Sequence, residues 1–238
     1  MPHAVASRTF IQGLRAALPI AIGYIPVAIA FGILGRTGGL AAGPVVVMSL
    51  AVFAGAAQFM AISLIAGGAG SAQIIFAVFL LNLRHLLFSA NLARRLPRLS
   101  AAAAGILAFG VTDEVFSVAS TGPDPRPRYL AGLELGAWSA WSGGTALGYL
   151  AGDLLPVELA AAFSTGLYAL FASLAVWQVR AGGVRTALVI AVAAGLNTVL
   201  RLALGLAAGW AFVIAMLVAA CCGVALGQEQ QEREQAHG

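Results

Sequence analysis

An arginine, a histidine and two adjacent carboxylates stand inside runs of apolar sequence, where such groups hold a charged solute, pair with one another or pass a proton. Arg84 and His85 lie in Phe79-Leu80-Leu81-Asn82-Leu83-Arg84-His85-Leu86-Leu87-Phe88-Ser89, and the carboxylates lie in Gly110-Val111-Thr112-Asp113-Glu114-Val115-Phe116. Residues 37–83 contain no Asp, Glu, Lys or Arg, and the next charges after His85 are Arg94 and Arg95. If Arg94 marks where a helix leaves the bilayer, Arg84 is roughly 15 Å deeper, near the middle of a ~30 Å hydrocarbon core. Snorkelling does not reach from there. A charge so placed costs at least ~2.5 kcal/mol, so Arg84 must face the protein interior or water and take a partner.

Asp113 is positioned to be that partner. The apolar runs 71–93 and 99–121 form an antiparallel hairpin turning near Pro97 and Arg98, and 84 and 113 are then at equal depth. Two readings follow: a structural ion pair that keeps two helices in register, or a polar site for a zwitterion or a proton. In the second, the planar fork of Arg84 suits a carboxylate, while Asp113 or Glu114 suits an ammonium group or a transported proton. Consecutive residues are 100° apart on a helix, so one of the two carboxylates faces the site. His85 shares a face with Asn82 and Ser89 and is either a hydrogen-bonded packing residue or a proton relay. Gln58, in Phe53-Ala54-Gly55-Ala56-Ala57-Gln58-Phe59, either orients a substrate or makes an interhelical bond. Asn197 and Arg201 share a helix face and read as structural, and Glu134 lies close enough to an interface to be solvated.

The remaining histidines, His3 and His237, are in the tails, and Cys221 and Cys222 are adjacent in an apolar run, so neither metal nor cofactor is expected. No HExxH, GxSxG or phosphate-binding loop occurs, and Ser142 has no intramembrane histidine after it to act as base. An enzyme is not expected.

The elements that must position these residues are membrane helices. Of 238 residues 61% are hydrophobic and 9% charged, and the mean hydropathy is +0.93; soluble domains do not have this composition. Lysine is absent and the arginines fall between apolar runs, a pattern of topology signals and not a nucleic-acid surface. The runs are 16–34, 44–66, 71–93, 99–121, 129–151, 159–179 and 186–226, the last long enough for two helices. The expected fold is an all-α polytopic membrane bundle of seven or eight hydrophobic helices. It divides into an N-terminal cytoplasmic or interfacial segment (1–15), a single transmembrane domain (16–227) and a polar disordered tail (228–238). Three full crossings would put the arginines of the N-terminus and of residues 94–98 on opposite sides, against the positive-inside rule. One early segment is therefore expected not to cross fully, the Pro19/Pro26 helix and residues 67–70 being the candidate breaks. The fifth run carries Gly132, Gly136, Ala140, Gly144, Gly148 and Gly152, a packing face for another helix inside the subunit or on a partner. An offset of 115 relates Ser49 to Ser164, Phe53 to Tyr168, Gly67-Gly68 to Gly182-Gly183, and Asn82 to Asn197, a possible internal repeat.

Three motifs in order, Phe53-Ala54-Gly55-Ala56-Ala57-Gln58-Phe59, Asn82-Leu83-Arg84-His85 and Thr112-Asp113-Glu114, resemble the AzlC family, the large subunit of bacterial branched-chain amino acid exporters. The Pro/Gly-rich stretch 19–35 looks similar too, so the resemblance extends over nearly the whole chain. It implies a multi-pass protein of the bacterial inner membrane that works with a small AzlD-type membrane subunit. The implied activity is export of valine, leucine, isoleucine and analogues, driven by protons; the reading of the residues themselves would then have Arg84, Asn82, Gln58 and Asp113 bind substrate and Asp113, Glu114 and His85 couple protons. The sequence departs from the family at Phe88, where a tyrosine is expected before the serine. The competing classes are a transporter of another small solute, an ion-channel subunit, and a membrane scaffold that transports nothing.

Overall fold

The computed structural model describes residues 9–121, 125–152 and 157–236, and the described backbone is helical with no strand. Its helices are α1 (Phe10–Ala16), α2 (Leu18–Thr37), α3 (Ala42–Ala51), α4 (Gly55–Ala66), α5 (Ser71–Arg95), α6 (Ala101–Phe109), α7 (Asp113–Ser120), α8 (Pro127–Ala151), α9 (Val157–Leu202) and α10 (Ala208–Ala236). Part of the N-terminal segment 1–15 thus lies outside the described residues. α10 continues as helix through residues 228–236, where a disordered tail is expected. α2, α5 and the Gly183–Leu202 part of α9 are long and apolar enough to cross a bilayer. On α5, Ile75, Phe79, Leu83, Leu86 and Leu87 are 41–70% exposed, a surface that lipid solvates and water does not. The backbone divides into two compact units, Met1–Ile62 with Leu80–Ser164, and Ser63–Phe79 with Thr165–Gly238, within the stretch read above as one domain.

Two runs expected as continuous spans are interrupted. The 44–66 run breaks between α3 and α4 at Phe53, whose φ is 44°; a non-glycine residue held there costs of order 1–3 kcal/mol. The 99–121 run breaks between α6 and α7, which meet at 112°. Thr112 is the cause: its hydroxyl accepts the Val115 N–H at 3.3 Å, starting a new helix with Asp113 and Glu114 in its first turn, where the helix dipole favours acids. Of the two suspected breaks, residues 67–70 do interrupt the helix, between α4 and α5, and the Pro19/Pro26 stretch does not. Pro19 sits in the first turn of α2, where no backbone hydrogen bond is lost, and Pro26 lies inside the same uninterrupted helix.

Both broken runs turn back. Val45 at the start of α3 lies against Gly35, Phe53 at the break meets Tyr24 with ring centroids 6.4 Å apart, and Phe59 on α4 is back at Phe31, 5.3 Å away. Along α5 the order is Arg84 to Asp113 at 3.1 Å, Phe88 stacked on Phe116 at 4.6 Å, and Arg95 donating to the Ser120 carbonyl at 3.2 Å. Residue numbers rise together in that series, so α7 runs in the direction of α5, and the straight antiparallel hairpin expected for 99–121 is not formed. A re-entrant α6–α7 pair would bring Arg98 and Arg126 out on one side of the membrane. With Cys221 and Cys222 replaced by serine, Arg98→Cys and Arg126→Cys should react with a membrane-impermeant maleimide from the same side; labelling from opposite sides would mean that α6 and α7 cross.

α8 is the helix on which the first unit is assembled. Leu130, Leu133 and Ala137, on one face, are fully buried, and the glycine ladder seats α1 and α2. A Cβ at Gly132 would stand 2.1 Å from the Phe10 carbonyl oxygen, and one at Gly148 would stand 2.1 Å from that of Ile29. The small-residue face is therefore filled within the subunit. In lipid, apolar area alone does not drive helices together, and the attraction comes from such close backbone packing. The repeat also finds local counterparts: Gly68 and Gly183 take φ of 72° and 64°, and the side-chain oxygens of Asn82 and Asn197 are both buried without a hydrogen-bond partner. The side chains of Ser164 and Tyr168 lie outside the described residues.

Candidate functional site

The first break is stabilised by side chains of α8. A helix end leaves carbonyls without partners, which hydrocarbon does not solvate. At the end of α3, Trp138 Nε1 donates to the Leu50 carbonyl at 3.1 Å and Ser142 Oγ to that of Ser49 at 3.4 Å. Beside them Gln58, fully buried, donates from Nε2 to Ser49 Oγ at 2.9 Å and accepts from Trp141 Nε1 at 2.9 Å, while Ser49 Oγ bonds Thr145 Oγ1 at 2.7 Å. Both ends of the Gln58 amide are engaged in holding α3, α4 and α8 together. Of the two readings of this residue, the interhelical bond is the one formed. Trp138 and Ser142 carry this capping role, with Thr145 holding the Ser49 hydroxyl, and no spacing rule marks them.

The second break holds the charges. Asp113 Oδ2 pairs with Arg84 Nη2 at 3.1 Å, with 41% and 37% of the side chains exposed, so the pair is open to a solute. Glu114 points elsewhere and accepts a hydrogen bond from the Tyr24 hydroxyl, which also bonds Thr112 Oγ1 at 2.8 Å. The two carboxylates thus serve different helices, α5 and α2, as their angular separation requires. Arg84 Nε and Asn82 Oδ1 are buried without hydrogen-bond partners. One more acceptor and one more donor can therefore be bound beside the ion pair. His85 packs its ring near Phe88, 6.3 Å away, and Phe88 is in turn committed to its stack on Phe116. A ring is needed at position 88; a tyrosine hydroxyl is not needed for that stack.

Tyr24 joins the two breaks. Its ring contacts Phe53 and Trp141, the latter at 5.3 Å, and Phe53 lies 6.2 Å from Phe109 at the end of α6. The second half of α5, the 96–99 turn and α6 line an open, largely apolar pocket of about 430 Å³, with Leu86, Leu92, Leu107, Val111 and Leu130 among its residues and Ser89 and Arg98 as its polar members. That volume suits a small solute with an apolar body. Among the described residues no three His, Cys, Asp or Glu side chains come together in a way that could hold a metal ion.

A family model described as AzlC protein matches residues 19–155, which is narrower than nearly the whole chain but includes every site residue named above. The chain is 46% identical over 156 residues to an uncharacterized membrane protein of Archaeoglobus fulgidus, covering 64% of this chain and 67% of that one. It is 34% identical over 156 residues to the inner membrane protein YgaZ of Escherichia coli, covering 63% and 64%. Over 108 residues it is 30% identical to the branched-chain amino acid transport protein AzlC of Bacillus subtilis, covering 45% and 42%. The matches thus span from about two-fifths to two-thirds of these relatives' lengths. No solved structure matches the chain.

Proposed function

The chain belongs to the AzlC family, and we propose that it is the large subunit of a proton-coupled exporter of valine, leucine, isoleucine and analogues. It would work in the inner membrane with a small AzlD-type subunit. The observation that carries this reading is the Arg84–Asp113 pair at 3.1 Å, part-exposed at a helix break, with unmet hydrogen-bonding capacity on Arg84 and Asn82; an apolar pocket lies further along α5, lined by neither residue of the pair. A branched-chain amino acid needs these things: a cation for its carboxylate, an anion for its ammonium group, and an apolar volume for its side chain. Arg84 takes the carboxylate and Asp113 the ammonium, so substrate replaces each ion's partner with an equivalent charge. Glu114 and His85 are the coupling groups of this reading, and Gln58 keeps the first break in place.

On this reading the 44–66 and 99–121 runs each return to the side from which they enter. With the 44–66 run returning, α2 and α5 alone separate the N-terminus from residues 94–98, so both arginine clusters fall on the cytoplasmic side as the positive-inside rule asks. The test is efflux of labelled leucine from cells expressing the chain with and without the small subunit, each with and without an uncoupler. Efflux that needs the partner and is lost with the uncoupler supports the exporter. Saturating efflux indifferent to the uncoupler removes proton coupling, and no leucine efflux in any condition removes the substrate.

A further inference from the structure

Glu134, on α8, is the buried acid that the proposed cycle does not use. It is 6% exposed, its Oε1 has no hydrogen-bond partner, and it carries no ion pair among the described residues. Its carboxyl presses on the second helix break: a Cβ at Gly110, the residue that closes α6, would stand 2.5 Å from Glu134 Cδ and 2.6 Å from Oε2. A side chain at position 110 would displace the carboxyl from this place.

The charged and titratable groups on the elements packed around α8 are otherwise engaged or elsewhere. Arg15 of α1 is exposed. On α2, Tyr24 is bonded to Glu114 and Thr112, and Arg36 lies over the Tyr149 ring at 4.8 Å. α3 and α6 carry no charge. On α7, Asp113 is paired with Arg84 and Glu114 is held by Tyr24. On α5, Arg84 and Arg95 hold Asp113 and the Ser120 carbonyl, and Arg98, in the turn after α5, lines the apolar pocket with Val111 and Leu130. α8 itself adds Arg128 and Tyr129 at its start, and Glu134 Oε1 accepts a hydrogen bond from neither. A bare carboxylate in that place is costly, and the group must meet that cost by binding a proton, a cation or water.

We propose that Glu134 reversibly binds a proton during transport and that its charge sets the Gly110 break. The proposal rests on the exporter reading above. Loss of the proton places a negative charge against the carbonyl end of α6, which the helix dipole opposes. The strain is relieved by opening the break, and α7 moves with it. Asp113 and Glu114, in the first turn of α7, then change their hold on Arg84 and Tyr24, so a proton at Glu134 is felt at the substrate charges without touching the substrate.

The experiment has two arms on the full chain with its partner in lipid vesicles. Infrared difference spectra between acid and alkaline buffer, with no substrate present, should show a protonated-carboxyl band that Glu134→Gln removes and Glu134→Asp keeps at a shifted position. In the second arm the pH profile of leucine efflux should flatten in Glu134→Gln and return in Glu134→Asp. A band unchanged in Glu134→Gln overturns the proposal, as does a pH profile that this substitution leaves alone. Absence of wild-type leucine efflux counts against the exporter reading, and the infrared arm still decides whether Glu134 takes the proton.

Discussion

Replacing Arg84 with alanine should cut the initial rate of leucine efflux about 10- to 150-fold, because a hydrogen bond to a charged group contributes about 1.5–3 kcal/mol and ~1.4 kcal/mol is a factor of ten. The substitution also leaves Asp113 without its partner inside the bilayer, where a bare carboxylate is costly, so the rate is taken per folded protein in the membrane; a loss that remains after that normalisation belongs to the site. Arg84→Lys should recover little, since an ammonium group lacks the fork that holds a carboxylate with two parallel bonds.

A purely structural pair makes a different prediction. The swap Arg84→Asp with Asp113→Arg would rebuild the ion pair and restore efflux if register between α5 and α7 were all that mattered. If the two residues hold opposite ends of a zwitterion, the swap inverts the site and efflux stays low. Wild-type efflux from Arg84→Ala removes the site altogether.

How much of this was legible in the sequence depends on which link is asked about. The pairing of Arg84 with Asp113 follows from depth, and depth follows from counting residues to the nearest surface charges. The direction of α7 does not follow from that count. A continuous hairpin and a returning one both bring 84 to 113, and they separate only beyond it, where Phe88 meets Phe116 and Arg95 meets Ser120. The signal was present in Thr112-Asp113-Glu114, a helix-start pattern, but inside hydrocarbon the two acids draw notice as charges before they do as a first turn. The break at Phe53 had a weaker mark, because phenylalanine at positive φ has no sequence signature; what permits it is the set of α8 donors waiting for the α3 carbonyls. Glu134 was placed near water by its distance from the start of its run. It is buried because the α6–α7 break folds over it, a contact that no local pattern encodes.

The glycine ladder was legible as a face and silent about its partner, and it carries the largest expected effect on folding. Gly148→Leu should abolish recovery of folded protein, or lower its thermal midpoint by many degrees, while Gly143→Leu on the same helix should be tolerated. At Gly148 the new Cβ would stand 2.1 Å from the Ile29 carbonyl oxygen and 2.6 Å from Ile29 Cα, both backbone atoms that no rotamer change can move. At Gly143 nothing lies within 4 Å. Ordinary overpacking costs about 1–3 kcal/mol where side chains can adjust. Here α2 must leave α8 as a body, and the reciprocal contact of Gly32 with the Thr145 carbonyl goes with it. That movement also withdraws Tyr24 from Glu114 and Thr112, so any fraction that still folds should lose transport. Thermal unfolding of the two variants, followed in detergent against wild type, checks the seam directly. Equal midpoints for Gly148→Leu and Gly143→Leu would mean that α2 is not seated on this face, and the link from α8 through Tyr24 to the charged break would fall with it.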